Sequence, residues 1–202
     1  LGARRVATAI NDVLSYGNYY QWGRPADGHE ITVWNGATLI SGRGFYDATV
    51  LGALATSDTP GHSNFIITNA NPNDWRSDNN NNRWDSANQG PCPAGYHVPT
   101  DAQWATADAF DGGAATNAVT DAGATVGWDN NTETYESALK LPTAGYRNST
   151  DGSLRNPGSF GYYWSSTVSG TSARYLYFHT GTARTDRDDY RALGYSVRCL
   201  KD

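Results

Sequence analysis

The histidines are the first side chains of this sequence to test for catalysis or metal binding. The four of them, His29, His62, His97 and His179, stand singly along the chain. A zinc site is typically built from ligands at short helical or hairpin spacing, and no two of these histidines have it. We therefore interpret each histidine as structural and predict no bound metal.

Sequence motifs of the common enzyme classes do not occur either. There is no Gly-x-Ser-x-Gly elbow of a serine hydrolase, and neither glycine-rich nucleotide-binding pattern precedes a helix. A glycosidase needs only two suitably spaced carboxylates, and the 20 acidic residues leave that possibility open. The sequence thus predicts a protein that is not an enzyme and needs no cofactor.

The two cysteines, Cys92 and Cys199, could form one disulfide. It would close a loop of roughly 100 residues and restrict the unfolded chain by ~4 to 5 kcal/mol. Two buried free thiols are the alternative, and the sequence does not decide between them.

A polar segment from Asp58 to Gln89 is rich in Asn, Asp, Gly, Pro and Ser. Its carboxylate and amide oxygens are possible calcium ligands, although no spacing matches the EF-hand loop. Ordinary turn chemistry explains the same composition, and we favour it.

Two helices are predicted in the middle of the chain. Thr100 is a suitable N-cap, and Gln103 three residues later completes a capping box, so a helix is predicted to about Phe110. Gly112-Gly113 is expected to end it. A second helix is predicted over 133–139.

Short strands separated by glycine-rich turns are predicted elsewhere. The aromatic segment 16–23 predicts an early strand, and 162–167, 174–180 and 194–200 predict a terminal antiparallel sheet.

The strand over 174–180 has two different faces. Leu176 and Phe178 share one face, which suits a core, while Tyr175, Tyr177 and His179 share the other. We expect this second face to be an exposed surface.

Composition agrees with a single α+β domain over residues 1–202. The chain has 22 Gly, 7 Trp and 13 Tyr, which favours short strands and tight turns around aromatic side chains.

Its net charge of −5 argues against nucleic acid and anionic membranes as partners. No run of about 18 apolar residues exists, so no membrane insertion is expected. Residues 1–10 lack the apolar core of a secretion signal, and a chain without Met is expected to be a fragment or a processed product.

Several motifs together resemble the Fibrobacter succinogenes major paralogous (FISUMP) domain family. In chain order they are Tyr19-Tyr20-Gln21-Trp22-Gly23-Arg24, Pro91-Cys92-Pro93-Ala94-Gly95-Tyr96-His97-Val98-Pro99-Thr100-Asp101-Ala102-Gln103-Trp104, Ala138-Leu139-Lys140-Leu141-Pro142-Thr143-Ala144-Gly145-Tyr146-Arg147, Gly161-Tyr162-Tyr163-Trp164-Ser165-Ser166-Thr167 and Ser196-Val197-Arg198-Cys199. The resemblance covers nearly the whole chain. It implies a C-type-lectin-like fold akin to that of formylglycine-generating enzymes, with short antiparallel sheets, one or two helices and long loops.

The resemblance also implies a variable region. Members of the family serve as variable proteins of diversity-generating retroelements, in which a C-terminal segment is rewritten at adenines while the scaffold stays constant. The matching span here is about 159–193. Asparagine codons altered only at adenines cannot yield Lys, Glu, Gln, Met or Trp, and the span contains none of these except Trp164 of the constant motif.

Tyr, Arg and Asp side chains dominate the predicted binding residues of this span, a mixture typical of binding surfaces. The predicted ligand-binding residues are Phe160, Val168, Ser169, Tyr175, Tyr177, His179, Thr182, Arg184, Asp186, Arg187, Asp188, Asp189, Tyr190, Ala192 and Leu193. An ordinary solvated surface is the alternative. We interpret Trp22, Trp104 and Trp164 as core residues, and Arg191 and Arg198 as structural polar contacts.

The resemblance thus implies a diversified protein that binds a protein or glycan ligand on a cell surface, displayed outside the cell or on a virion. A surface or adhesion module without diversification, which binds cell-wall or carbohydrate ligands, is the alternative. An oxidase of the formylglycine-generating type shares the implied fold, but the positions of the two cysteines are better explained as structural.

Overall fold

The computed structural model describes residues 1–35, 38–42, 44–51, 53–84, 90–111 and 128–202. A 3₁₀ turn, Val13–Ser15, precedes the first strand. The strands are β1 Tyr20–Gln21, β2 Thr32–Asn35, β3 Thr38–Gly42, β4 Phe45–Asp47, β5 Phe65–Ile67, β6 Tyr96–His97, β7 Tyr146–Arg147, β8 Leu154–Arg155, β9 Gly161–Ser169, β10 Ser172–His179, β11 Thr182–Asp189, β12 Gly194–Tyr195 and β13 Leu200–Lys201. The helices are α1 Ala48–Leu51, α2 Asp101–Asp111 and α3 Asn131–Glu136.

Small sheets make up most of the described structure. Strands β11, β10 and β9 form an antiparallel sheet in that order, and a second antiparallel sheet has the order β1-β12-β7-β8. The pairs β13-β6 and β2-β3 are antiparallel, and β4-β5 is parallel. This arrangement of small, mostly antiparallel sheets with few helices agrees with the predicted α+β class.

The three-stranded sheet differs from its prediction in one strand. Segments 162–167 and 174–180 fall within β9 and β10, but the third strand is β11. Segment 194–200 instead contributes to β12 and β13 in two other sheets. The charged sequence of β11 has low β-propensity, and its pairing to β10 through a tight hairpin overrides that preference.

The early strand is much shorter than predicted. Only Tyr20–Gln21 of segment 16–23 is a strand. Gly17 and Gly23 both have positive φ, +76° and +79°, so the backbone turns on either side of it.

Helix α2 begins at its predicted capping box. The Thr100 hydroxyl oxygen accepts a hydrogen bond from the Gln103 N–H at 3.1 Å, and Gln103 Oε1 accepts one from the Thr100 N–H at 2.8 Å. The predicted stop at Gly112-Gly113 lies outside the described residues. Helix α3 begins earlier than predicted because the Asn130 side chain caps it, accepting from the backbone N–H of Thr132 at 2.9 Å.

The three-stranded sheet is covered on both faces. Leu176 and Phe178 are fully buried on one face, as predicted, and pack against Trp104 of α2. On the other face, Trp164 and Tyr175 belong to a cluster that also contains side chains of β1 and β12. Only part of this second face therefore remains available to a ligand.

The predicted core tryptophans also connect the sheets through their indole N–H groups. Trp22 donates to the carbonyl oxygen of Ser165 at 2.8 Å, and Trp164 donates to that of Tyr20 at 2.7 Å. Trp104 donates to the carbonyl oxygen of Trp164 at 3.2 Å. All three side chains are almost fully buried, which confirms the core interpretation.

Arginine side chains are buried beneath the end of the variable span. The Arg191 guanidinium lies 4.5 Å from the ring centroid of Trp22, and Arg83 lies over the same ring at 5.2 Å. Asp74, fully buried, forms ion pairs with both arginines. Arg191 is therefore structural, as predicted. Arg198 is exposed and donates to the carbonyl oxygen of Leu139 at 3.1 Å, which is also a structural contact.

Cys92 and Cys199 form a disulfide across 107 residues of sequence. Of the two possibilities that the sequence left open, the disulfide is correct. It joins the segment before β6 to the segment before β13, and these two strands also pair with each other.

Candidate binding surface

An aromatic cavity of about 540 Å³ opens where β10 and β11 approach the turn after β7. We call it the tyrosine cavity. Its walls come from the β7–β8 turn, the shared face of β9 and β10, the end of β11 and the connection to β12. The lining residues are Tyr146, Asn148, Ser149, Thr150, Tyr162, Tyr175, Tyr177, Arg187, Asp188, Asp189, Tyr190, Leu193 and Tyr195.

A continuous row of aromatic rings runs from the core to the surface along this cavity. Tyr195 is 1% exposed, and its ring centroid lies 5.1 Å from that of Tyr162. Tyr162 in turn contacts Tyr177 at 5.3 Å, and Phe160 contacts His179 at 5.0 Å. Because each ring packs on its neighbour, the outer rings are held on a buried aromatic base.

Tyr175 is buried, which corrects the prediction that this face of β10 is exposed. Its side chain is 8% exposed, because β12 covers this end of the strand and Tyr195 lies 5.0 Å from its ring. Tyr177 and His179, further along β10, are half-buried. Tyr175 thus lines the inner part of the cavity, and the two later residues extend the surface outward.

Asp189 places a carboxylate among the tyrosines. Its Oδ2 accepts a hydrogen bond from the Tyr195 hydroxyl at 2.6 Å, and its Oδ1 accepts one from the Tyr190 N–H at 2.8 Å. Burial raises the pKa of this carboxyl above its ordinary value, the Tyr195 hydrogen bond opposes the increase, and the charge of Asp188 adds to it. Burial likewise raises the pKa of the Tyr162 phenol to about 12.

Charged side chains of β11 flank the cavity. Arg187 is registered opposite Tyr175, and Asp186, Arg187 and Asp188 are all exposed. Arg184 differs from its prediction as a ligand contact. It is 9% exposed, and its Nε donates to Asp186 Oδ1 at 3.0 Å, so this guanidinium is occupied within the chain.

Eight of the 15 predicted residues do not line the cavity, and three of these lie at the far ends of β9 and β11. Val168 and Ser169 are half-buried at the far end of β9, where they pair with Ala173 and Ser172. Thr182 begins β11 opposite His179, beyond the outer end of the aromatic row. The structure therefore does not gather the whole predicted set into one site.

The two last predicted residues are buried. Ala192 is 0% exposed and packs with Ile66 and Trp75, and its N–H donates to the carbonyl oxygen of Asn73 at 2.9 Å. The prediction of a ligand contact is wrong for Ala192, because the connection to β12 turns inward there. Leu193 is 6% exposed and contributes only a small area to the cavity wall.

Six of the 13 residues that line the cavity were not predicted as ligand contacts, among them Tyr162 and Tyr195. Tyr146 comes from β7, and Asn148, Ser149 and Thr150 come from the turn that follows it. They reach the cavity because β7 pairs with β12, a contact between residues far apart in sequence. No local sequence pattern indicates that pairing. The presence of Tyr146 in a family motif was the signal in the sequence that could have identified this residue.

A cluster of Asp27, His29 and Glu30 has ligand atoms within 4.8 Å of one another. Both ring nitrogens of His29 are engaged: Nε2 accepts from the Gln21 N–H at 3.0 Å, and Nδ1 lies 2.7 Å from Asp27 Oδ1. Burial lowers the pKa of His29 to about 4, although the Asp27 hydrogen bond opposes the decrease. His29 is thus neutral at physiological pH and is held by hydrogen bonds within the chain.

The described carboxylates of the polar segment 58–89 pair with arginines. Arg76 binds Asp58 and Asp78, while Asp74 binds Arg83. These contacts explain the acidic residues of the segment as internal ion pairs. Asp85 lies outside the described residues.

A second cavity, of about 520 Å³, lies between Trp84 and Thr167, and Cys92 of the disulfide lines it. Its lining includes none of the predicted ligand-binding residues. The tyrosine cavity is therefore the better candidate site.

Comparison with known proteins assigns the sequence to a family. The family model described as Fibrobacter succinogenes major domain matches residues 8–201. No curated protein and no solved structure matches the chain. Among the described residues, every helix is too short or too polar to span a lipid bilayer. With 8–201 matched, the chain belongs to the Fibrobacter succinogenes major domain family.

Proposed function

We propose that this chain is a binding protein with a C-type-lectin-like fold, whose hypervariable C-terminal surface, about 159–193, is diversified by a retroelement. Its ligand is a protein or glycan on a host or other cell surface, and the chain acts outside the cell or on a virion. Its role is binding and not catalysis. The observation that carries the proposal is the tyrosine cavity, because seven of its lining residues are among the predicted ligand-binding residues.

Single strands of the sheet carry both buried core residues and residues that reach the cavity or solvent, and this arrangement supports the proposed function. On β10, Leu176 and Phe178 are fully buried while the intervening Tyr177 reaches the cavity. On β11, Ala183 is 2% exposed, whereas Arg187 and Asp188 are solvent-exposed. Outward positions of such strands can change without removing core contacts.

Rigid support beneath the surface is the second argument. Arg191, at the end of the span, donates to the carbonyl oxygen of Gly170 at 3.1 Å and to Asn81 Oδ1 at 2.6 Å. The disulfide packs against the core cluster that contains Trp22, Trp164 and Tyr175, and the Trp22 N–H donates to the carbonyl oxygen of Ser165. A preorganised surface loses less entropy on binding, which favours tight recognition.

An adhesion module for carbohydrate, without diversification, is the second candidate. The cavity places tyrosine rings beside Asn148 and Asp188, and aromatic faces with adjacent polar groups also suit a sugar ring. A genomic comparison separates the two candidates. A near-copy of the DNA for 159–193 next to a reverse transcriptase gene, differing mainly at adenines, supports diversification, and its absence from the complete source genome contradicts it.

Binding by this surface is tested with Tyr177→Ala combined with Tyr190→Ala. Tyr190 is 47% exposed, so we expect the double variant to fold and to lose binding to any ligand found on panels of glycans and cell-surface proteins. Tyr96→Ala is the matched control, since Tyr96 is 41% exposed and lies outside the cavity. Unchanged binding by a folded double variant would contradict the proposal.

A further inference from the structure

The Asp189 carboxylate has unused hydrogen-bonding capacity inside the tyrosine cavity. An ionised carboxylate offers about four lone-pair sites on its two oxygens. Tyr195 and the Tyr190 N–H each occupy one, on different oxygens. One acceptor site on each oxygen thus remains for a donor that enters the cavity.

No basic side chain in the described ranges forms an ion pair with Asp189. Arg184 pairs with Asp186, and Arg174 lies 3.8 Å from Asp188. Arg187 lines the same cavity, but its side chain is exposed and forms no ion pair with Asp189. Within the described residues, the half-buried carboxylate therefore lacks a counter-ion, and removing a charge from water without one is costly.

Tyrosine rings surround this carboxylate. Tyr162, Tyr175 and Tyr195 line the same cavity, and the Tyr195 hydroxyl donates to Asp189 at 2.6 Å. The faces of tyrosine rings attract cations, and this attraction is stronger where water is excluded. The cavity thus combines an unpaired anion with aromatic faces that favour a positive charge.

We propose that the tyrosine cavity binds an N–H-bearing organic cation of the partner, the ammonium of a lysine or the guanidinium of an arginine, with Asp189 as the counter-ion. The assignment rests on the proposed binding function and specifies its chemistry. The two remaining acceptor sites favour a cation with N–H donors over a quaternary ammonium, which has none. A cavity of about 540 Å³ has room for a lysine or arginine side chain.

The test is an NMR titration of the unmodified chain with small probes. n-Butylammonium and n-propylguanidinium represent the two side chains, and 1-butanol and n-propylurea are their neutral counterparts. We expect the cations to bind about tenfold or more tightly than their neutral counterparts, because charge-assisted hydrogen bonds exceed neutral ones. The tighter of the two cations identifies a lysine or an arginine as the ligand group.

The variant that isolates the counter-ion is Asp189→Asn, which keeps the side-chain shape and removes the charge. We expect it to lose the roughly tenfold preference for cations while 1-butanol binding is unchanged. Asp129→Asn is the control, since Asp129 is exposed and lies outside the cavity. Should Asp189→Asn fail to fold, the comparison of cation and neutral probe on the unmodified chain still decides.

Three results would overturn the proposal. They are equal binding of n-butylammonium and 1-butanol, binding of tetramethylammonium as tight as that of n-butylammonium, and a cation preference that survives Asp189→Asn. Each of them leaves the proposed function standing as long as the Tyr177 and Tyr190 double variant loses its ligand. Failure of the proposed function is recognised separately, by unchanged ligand binding in that double variant.

Discussion

Adjacent residues of β10 should respond very differently to truncation. Leu176 is 0% exposed in the core that also contains Trp104, so Leu176→Ala leaves a cavity and is expected to cost ~2.7 to 5 kcal/mol. Tyr177 is half-buried and contacts Phe160, Tyr162 and His179 at ring distances of 6.0, 5.3 and 5.5 Å. Because solvent already reaches this ring, Tyr177→Ala should cost only about 1 to 2 kcal/mol.

Thermal unfolding followed by near-UV circular dichroism measures both costs. For a chain of about this length, 1 kcal/mol corresponds to roughly 2–4 °C in Tm. We therefore expect a decrease of about 5–20 °C for Leu176→Ala and of about 2–8 °C for Tyr177→Ala, with ligand binding lost only in the second variant. Equal destabilisation by the two variants would refute the conclusion that Leu176 belongs to the core of this strand while Tyr177 belongs to its surface.

Three further predictions concern the scaffold. A Cβ at Gly161 would lie 2.0–2.4 Å from ring atoms of Phe178, so Gly161→Ala should lower the free energy of unfolding in urea by about 1–3 kcal/mol. Gly181→Ala is the control and should be nearly neutral, because its added Cβ would have no contact shorter than 3.7 Å. Replacing Cys92 and Cys199 together by Ala should cost about 2–5 kcal/mol, and an unchanged Tm would contradict the stabilising role of the disulfide. Burial lowers the pKa of His29 from 6.5 to about 4, so below pH 6.5 the unfolded chain binds a proton that the folded state does not. The free energy of unfolding should therefore decrease by about 3 kcal/mol between pH 6.5 and pH 4. The variant His29→Gln should show a smaller decrease over the same pH range.

Local patterns predicted several features correctly because the chemistry involved is local. The capping box of Thr100 and Gln103 involves residues three positions apart, and it starts α2 where expected. The alternation of Leu176 and Phe178 on β10 identified the core face of that strand. Both signals depend only on the geometry of one element.

Strand β11 shows where local patterns were insufficient. Its sequence, Thr182–Asp189, is rich in Asp and Arg and was predicted as a connection. Pairing with β10 supplies the backbone hydrogen bonds that its own composition does not favour. Segment 194–200 had the better strand composition, yet it pairs with β1, β7 and β6 in other sheets.

The sequence by itself determined the family, the α+β class and the core tryptophans, and it predicted the span of the proposed binding residues. Only the tertiary structure decided how exposed each of those residues is: Tyr175 is mostly covered by Tyr195 and lines only the inner cavity, Ala192 is buried, and Asp189 lies in an aromatic cavity. Periodicity assigns a side chain to one face of its strand, but exposure depends on what packs over that face. Here β12 covers Tyr175, and its position depends on pairing with β1 and β7, which lie far from it in sequence. No local pattern indicates those pairings.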